Sequence, residues 1–285
     1  MDAKQQVMQV IGHAALGHSH GRTKIRNRDD AKAFVVAAHD IFGDNRIIAR
    51  GLSWEMVATE VYHAAYGYTI YNGFVQNQSQ EEKDVDAYVY IPSHRGEAMS
   101  NAHKMLQRIR FNMPFEGYNH GPTTFYDIGC GIGDKLLLGY AAGFDRAIGV
   151  EMNEGTSYVA RCVLDQTLHL PVNISTMNAF DLALVEDNSM LYTYMPIRDE
   201  DTLEKLYAHI FDLMSRSSNV VHHECSFVDN SAYLIALKKL LDSGKCKESY
   251  LEDDGDRAYV RSLNDGTLQV NISRSAKKWI REVTE

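Results

Sequence analysis

The sequence predicts an α/β fold: a mostly parallel β-sheet covered by helices, closed by a C-terminal antiparallel hairpin and preceded by a mainly helical part. Three observations carry this. From Thr124 onwards, short apolar runs of strand length alternate with longer stretches of helical periodicity, the pattern of a parallel sheet with both faces covered. Near the C-terminus, Asn264-Asp265-Gly266 separates two strand-like runs, a strong hairpin signal. Residues 1–89 show helical spacing without that alternation, so the boundary between the two parts is set at residues 89 and 90.

In the N-terminal part, Asp29 or Asp30 caps a helix whose apolar residues are Phe34, Val35, Ala38, Ile41 and Phe42, ended by Gly43. Ser53 caps a second, with Val57, Ala58, Val61 and Ala65 at helical spacing, and past the boundary Ser93 caps a third, with Met99, Ala102, Leu106 and Ile109. The pattern changes at Gly121-Pro122. Strands are expected at Thr124–Ile128, Ala147–Val150, Val172–Met177 and Met190–Tyr194, with a fifth opening at Asn219–Val221. Helices are expected over Leu136–Ala142, Asn153–Leu168, Asp201–Met214 and Ala232–Leu241, and the hairpin strands are Tyr259–Leu263 and Thr267–Ile272.

The chain has 285 residues, 45% apolar and 24% charged, enough for one large α/β domain with an added helical part. No apolar run approaches the ~20 residues of a membrane helix, and the first twenty residues lack the form of a signal peptide. Cys130, Cys162, Cys225 and Cys246 form no C-x-x-C pair, which fits a reduced intracellular protein, cytoplasmic or nuclear, without a zinc site. The net charge of −9 is uneven: residues 1–120 carry 13 Lys/Arg and 13 Asp/Glu, residues 121–285 carry 16 and 25. An acidic C-terminal part repels phosphate backbones. That disfavours nucleic acid and leaves any such contact to the basic stretch Arg22, Lys24, Arg26 and Arg28, which also reads as a solvated loop.

Candidate ligand chemistry centres on Phe125-Tyr126-Asp127-Ile128-Gly129-Cys130-Gly131-Ile132-Gly133-Asp134. A strand ends in an acid and then a G-x-G-x-G turn, whose glycines let a ligand approach the backbone. The turn feeds a helix N-terminus, where free N–H groups favour a carboxylate. A nicotinamide fingerprint would carry a small residue where Asp134 stands. Eighteen residues beyond Gly133, Glu151 ends the second strand, followed by Met152; an acid there accepts hydrogen bonds from ribose hydroxyls. After the third strand come Asn178, Ala179, Phe180 and Asp181, where an amide or a carboxylate suits the adenine amino group and Phe180 its ring.

These elements, in this order and spacing over residues 90–272, resemble the class I S-adenosylmethionine-dependent methyltransferases. The resemblance implies a Rossmann-like seven-strand sheet with S-adenosylmethionine across its strand ends. It assigns Asp127 and Gly129 to the methionine part, Glu151 to the ribose and Asn178 to the adenine, with Phe180 near the adenine ring, and counts Gly131, Gly133, Met152, Ala179, Tyr194 and Pro196 among the donor-binding residues as well. In that family the stretch after the fourth strand reports the acceptor. Here Tyr194-Met195-Pro196 lacks the N-P-P-Y or D-P-P-Y of enzymes acting on exocyclic base amines, and no Pro-Cys nucleophile is present. Upstream, Tyr90-Ile91-Pro92-Ser93, with Glu97 one turn on, resembles the Y-V-P-T-type segment of seven-strand lysine methyltransferases, including the nucleosomal histone-lysine family, which implies that Tyr90 and Ser93 fold over the donor's methionine end and that Glu97 reaches its amino group; it also reads as a strand-to-helix turn capped by Ser93. The resemblance implies a protein side-chain amine as acceptor. A small molecule, or a non-catalytic scaffold role, stays open beside it.

Three other groups are weaker. His222-His223-Glu224 at the end of the fifth strand offers a general base or a plain strand-end cluster. His13, His18 and His20 lack the carboxylate or cysteine pattern of a metal site. Tyr62, Tyr66, Tyr68 and Tyr71 wall a pocket or pack the helical part onto the sheet.

Overall fold

The computed structural model describes residues 122–131, 133, 135, 136, 139, 144–161, 164, 172–224, 230–251 and 258–283. Tyr90, Ser93, Glu97, the N-terminal helices, the basic stretch at 22–28, the three N-terminal histidines and the tyrosine-rich stretch lie outside them.

Among the described residues, eight strands form one sheet: β1 (Thr124–Ile128), β2 (Arg146–Glu151), β3 (Val172–Thr176), β4 (Ser189–Thr193), β5 (Val221–Glu224), β6 (Cys246–Tyr250), β7 (Ala258–Ser262) and β8 (Leu268–Ile272). Their spatial order is β3-β2-β1-β4-β5-β7-β8-β6. Only β7 runs against the others, pairing antiparallel with β5 and β8. The fold is thus α/β and Rossmann-like, mostly parallel, with the expected C-terminal hairpin. Chain order runs outwards in one direction from β1 and in the other from β4, so the switch point lies between them.

Seven strands were expected. The eighth, β6, is Cys-Lys-Glu-Ser-Tyr; it lies at the sheet edge, has no fully buried residue, and pairs parallel with β8 outside the hairpin. An edge strand buries too little to impose an apolar run, which is why its sequence hides it. The central strands β1 and β4 are buried at every position.

Four helices are described beside the strands: α1 (Glu154–Arg161), α2 (Glu200–Ser215), α3 (Ser231–Asp242) and α4 (Arg274–Glu282). Each has a polar cap. Asn153 Oδ1 accepts from Thr156 N (2.8 Å), Asp199 from Thr202 N (2.7 Å), Asn230 from Tyr233 N (3.0 Å) and Ser273 from Ala276 N (3.1 Å). α2 buries Leu203, Leu206, Tyr207, Ile210, Phe211, Leu213 and Met214, packing with α3 on the sheet face formed by Tyr126, Ile128, Ile148, Val150 and Leu191. On the other face Phe125 meets Phe144 (5.4 Å between centroids) and Tyr192 (6.1 Å).

Candidate functional site

The parallel register aligns Val150, Ile128, Thr193 and Glu224 in one row near the C-terminal ends of β2, β1, β4 and β5. The candidate site is built from the segments that leave this edge.

After β1 the chain turns sharply. Gly129 N and Cys130 N both donate to Val150 O (2.8 and 3.1 Å), folding the loop over the end of β2. Gly129, Gly131 and Gly133 have φ of +79°, +55° and +84°. At Gly129 a Cβ would also lie 2.8 Å from Pro196 Cβ, and at Gly133 one would lie 2.5 Å from Leu164 Cδ1. Gly129 therefore needs glycine for conformation and for space, and Gly133 for conformation, since the end of the Leu164 side chain can give way. Leu136 N then donates to Gly133 O (3.1 Å), and Lys135, Leu136 and Gly139 are helical. Asp127, one residue before the end of β1, is 2% exposed.

Glu151 is bound to this loop. Its Oε2 accepts from Gly131 N (2.9 Å) and its Oε1 from Asn153 N (2.8 Å). Two backbone donors thus fix the half-buried carboxylate between the glycine turn and the start of α1, beside half-buried Met152. Met177 N donates to Glu151 O (3.0 Å), which brings the segment after β3 alongside. There Asn178 Oδ1 caps the 3-10 turn Ala179–Asp181 by accepting from Phe180 N (3.1 Å). The Phe180 ring leans on His209 at 5.9 Å.

After β4, Tyr194 is 40% exposed and Met195 has φ +40°. Left-handed backbone is costly for methionine, on the order of 1–3 kcal/mol, and Pro196 restricts it further. The contact of Pro196 with Gly129 shows what this geometry achieves: it seats the segment on the glycine loop. The structure therefore assembles Asp127, the three glycines, Glu151, Met152, Asn178, Ala179, Phe180, Tyr194 and Pro196 along one sheet edge.

Beneath that edge lies a polar network that the sequence concealed. Glu224 is fully buried; its Oε2 accepts from Thr193 Oγ1 (2.6 Å) and Tyr207 Oη (2.7 Å). Asn230 Nδ2 donates to Tyr207 Oη (2.6 Å), and His222 Nε2 lies 2.9 Å from Thr193 Oγ1. Thr193 has one hydrogen, given to Glu224, so His222 donates from Nε2. Burial, and secondarily the charge of His223, lower the His222 pKa to about 3, which keeps the ring neutral. Burial and the Glu224 carboxylate push the Tyr207 hydroxyl well above its usual range. The network locks the ends of β4 and β5 directly beneath Tyr194. Of the two readings of this cluster, the burial of His222 and Glu224, both 0% exposed and bonded to Thr193, favours the plain strand-end cluster over a general base. His223 points to the opposite face, half-buried, its ring stacked on Tyr192 at 6.5 Å.

No family model matches the sequence, and no curated protein matches it. Solved structures do. Magnesium protoporphyrin IX methyltransferase from Synechocystis, solved with bound SAM, is 10% identical with a TM-score of 0.37, covering 78% of this chain and 96% of that one. A putative RNA methyltransferase from Pyrococcus horikoshii is 11% identical with a TM-score of 0.36, covering 53% and 65%. Streptomyces venezuelae DesVI is 17% identical with a TM-score of 0.33, covering 52% and 58%. The chain spans about half or less of several others it matches, 48%, 31% and 49% of their lengths. The fold rests on sheet order, and the functional reading on the site.

Proposed function

We propose that the chain is an S-adenosylmethionine-dependent methyltransferase that binds its donor across the glycine loop, Glu151 and the Asn178 turn. The observation that carries this is the pair of hydrogen bonds holding Glu151 between Gly131 N and Asn153 N, at the end of β2, one strand away from the switch point of the sheet. That geometry fits the donor: an oriented carboxylate for ribose hydroxyls, a positive-φ turn open to close approach, and an amide with an aromatic neighbour for adenine. When bound, the donor supplies a methyl group activated by its sulfonium charge. The protein's part is to align that methyl with the acceptor and to exclude water, for which Tyr194 and Pro196 border the loop.

The favoured acceptor is a protein side-chain amine, a lysine. What supports this is the Tyr90-Ile91-Pro92-Ser93 segment with Glu97, read as a strap over the donor's methionine end. The tail Tyr194-Met195-Pro196 lacks a polar clamp for a base amine, which is consistent with it.

Titration calorimetry tests donor binding, with a dissociation constant in the micromolar range expected. At 100 times that constant the donor stabilises the fold by about 2.7 kcal/mol. No heat and no thermal shift at millimolar donor would sink the reading. Labelled donor with a lysate separated into protein, nucleic acid and small molecules then tests the acceptor: label in protein supports lysine, and label only elsewhere overturns it.

A further inference from the structure

The outward face of α4 reverses the sign of the domain that carries it. Residues 121–285 hold 16 Lys/Arg against 25 Asp/Glu, yet the nine residues of α4 hold Arg274, Lys277, Lys278 and Arg281 against Glu282 alone. At about 100° per residue, the four cations fall within a sector of about 100°. That sector lies opposite Ala276 and Ile280, which are buried. Arg274, Lys278 and Arg281 are exposed. Lys278 pairs with Glu282 only at 3.8 Å, both well solvated, a contact of little energy. Lys277 is held against β6 by Glu248 and the Tyr250 hydroxyl. With Tyr250, these five side chains line a hollow of about 270 Å³.

Two large aromatics border the cations. Tyr250 is 57% exposed and its ring centroid lies 4.6 Å from the Lys277 ammonium. Trp279 is 43% exposed and lies about 100° round the helix from Lys278, on the flank away from Lys277. A basic stripe between two exposed rings combines phosphate attraction with stacking platforms.

We propose that the outward face of α4, with Tyr250 of β6, is a docking surface for single-stranded nucleic acid. Arg274, Lys278 and Arg281 take phosphates, and Tyr250 and Trp279 take unstacked bases. An acidic peptide would satisfy the charges but has no use for two exposed rings. A membrane surface would need the apolar face of α4, which is turned into the core. β6 and β8 run parallel to β5 through β7, so Tyr250 and the start of α4 share the sheet edge that carries the glycine loop. The proposal goes beyond the donor reading and does not depend on it.

Fluorescence anisotropy with the full chain and labelled 12-nucleotide oligo-U or oligo-dT, over a series of salt concentrations, tests this. Three phosphate contacts on a single strand give a slope of log affinity against log salt of about −2. The charge-reversal variant R274E/K278E/R281E is expected to lose at least tenfold in affinity and to flatten that slope. Trp279→Ala is expected to lose about fivefold or more with the slope unchanged. The altered side chains are exposed, and melting curves verify folding. Donor affinity measured by calorimetry stays at the parent value in both variants, so the two readings fail separately. Absence of binding at 50 mM salt overturns the proposal. So does binding that survives the charge reversal, which would move the contact to the basic stretch at 22–28. Equal affinity for poly-glutamate, indifferent to Trp279→Ala, overturns it in favour of an acidic protein partner.

Discussion

Burial of His222 makes a quantitative prediction about acid stability. The ring is fully enclosed, between Tyr207 and Phe211 of α2 (both 5.9 Å) and Tyr233 of α3 (5.5 Å). Its folded pKa of about 3 lies well below the 6.5 of an ordinary imidazole. Between those values the unfolded chain binds one proton that the folded chain refuses, so stability must fall as pH falls. The slope is about 1.4 kcal/mol per pH unit, and the integrated loss from pH 7.5 to pH 5 is about 2 kcal/mol. The neutral ring's contribution is complete above pH 6.5 and is lost progressively towards pH 3. His222→Gln keeps an N–H donor near Thr193 and removes the titration. Urea unfolding of parent and variant at pH 7.5, 6 and 5 isolates the term, because the other histidines cancel in the difference. The parent should lose about 2 kcal/mol more than the variant by pH 5. Parallel pH dependences would mean that His222 takes up a proton in the folded state, and the tautomer and network derived above would be wrong.

Glu151→Ala should weaken donor binding by roughly 1.5–3 kcal/mol, the worth of charged hydrogen bonds. It should also cost some stability, since Gly131 N and Asn153 N lose their acceptor; calorimetry and melting separate the two effects. Gly129→Ala combines φ +79° with a Cβ 2.8 Å from Pro196 and should destabilise by more than the ~1–2 kcal/mol of left-handed strain alone, measured by urea unfolding. Tyr207→Phe leaves Glu224 and Asn230 short of a buried partner and should cost ~1–3 kcal/mol, read from the same unfolding curves. Ser93→Ala should lower donor affinity if the segment straps the donor; a fall in stability alone, by about 1 kcal/mol, would reduce Ser93 to a helix cap.

Much of this protein was legible in its sequence because the signals are local. β1 was expected over the residues it occupies, and the other predicted strands and the helices after β4 and β5 fall within about two residues of their expected bounds, since each is written in a short apolar period and a nearby cap. The glycine loop was legible because positive φ restricts residue choice at single positions. Glu151 was legible as the acid ending β2, although its hydrogen bond to Gly131, twenty residues away, was not. Tertiary structure alone decided the rest. Strand order, and the insertion of the β7–β8 hairpin between β5 and β6, depend on pairings between distant segments that leave no periodic trace. His222 and Glu224 read as a strand-end cluster or a base; the partners that commit them, Thr193, Tyr207 and Asn230, come from three other segments of the chain. Net charge likewise concealed the basic face of α4, because a sum over the chain discards which charges the helix turns to the same side. Local sequence dictates which conformations a segment adopts, whereas burial, protonation and surface potential depend on what the fold sets beside it.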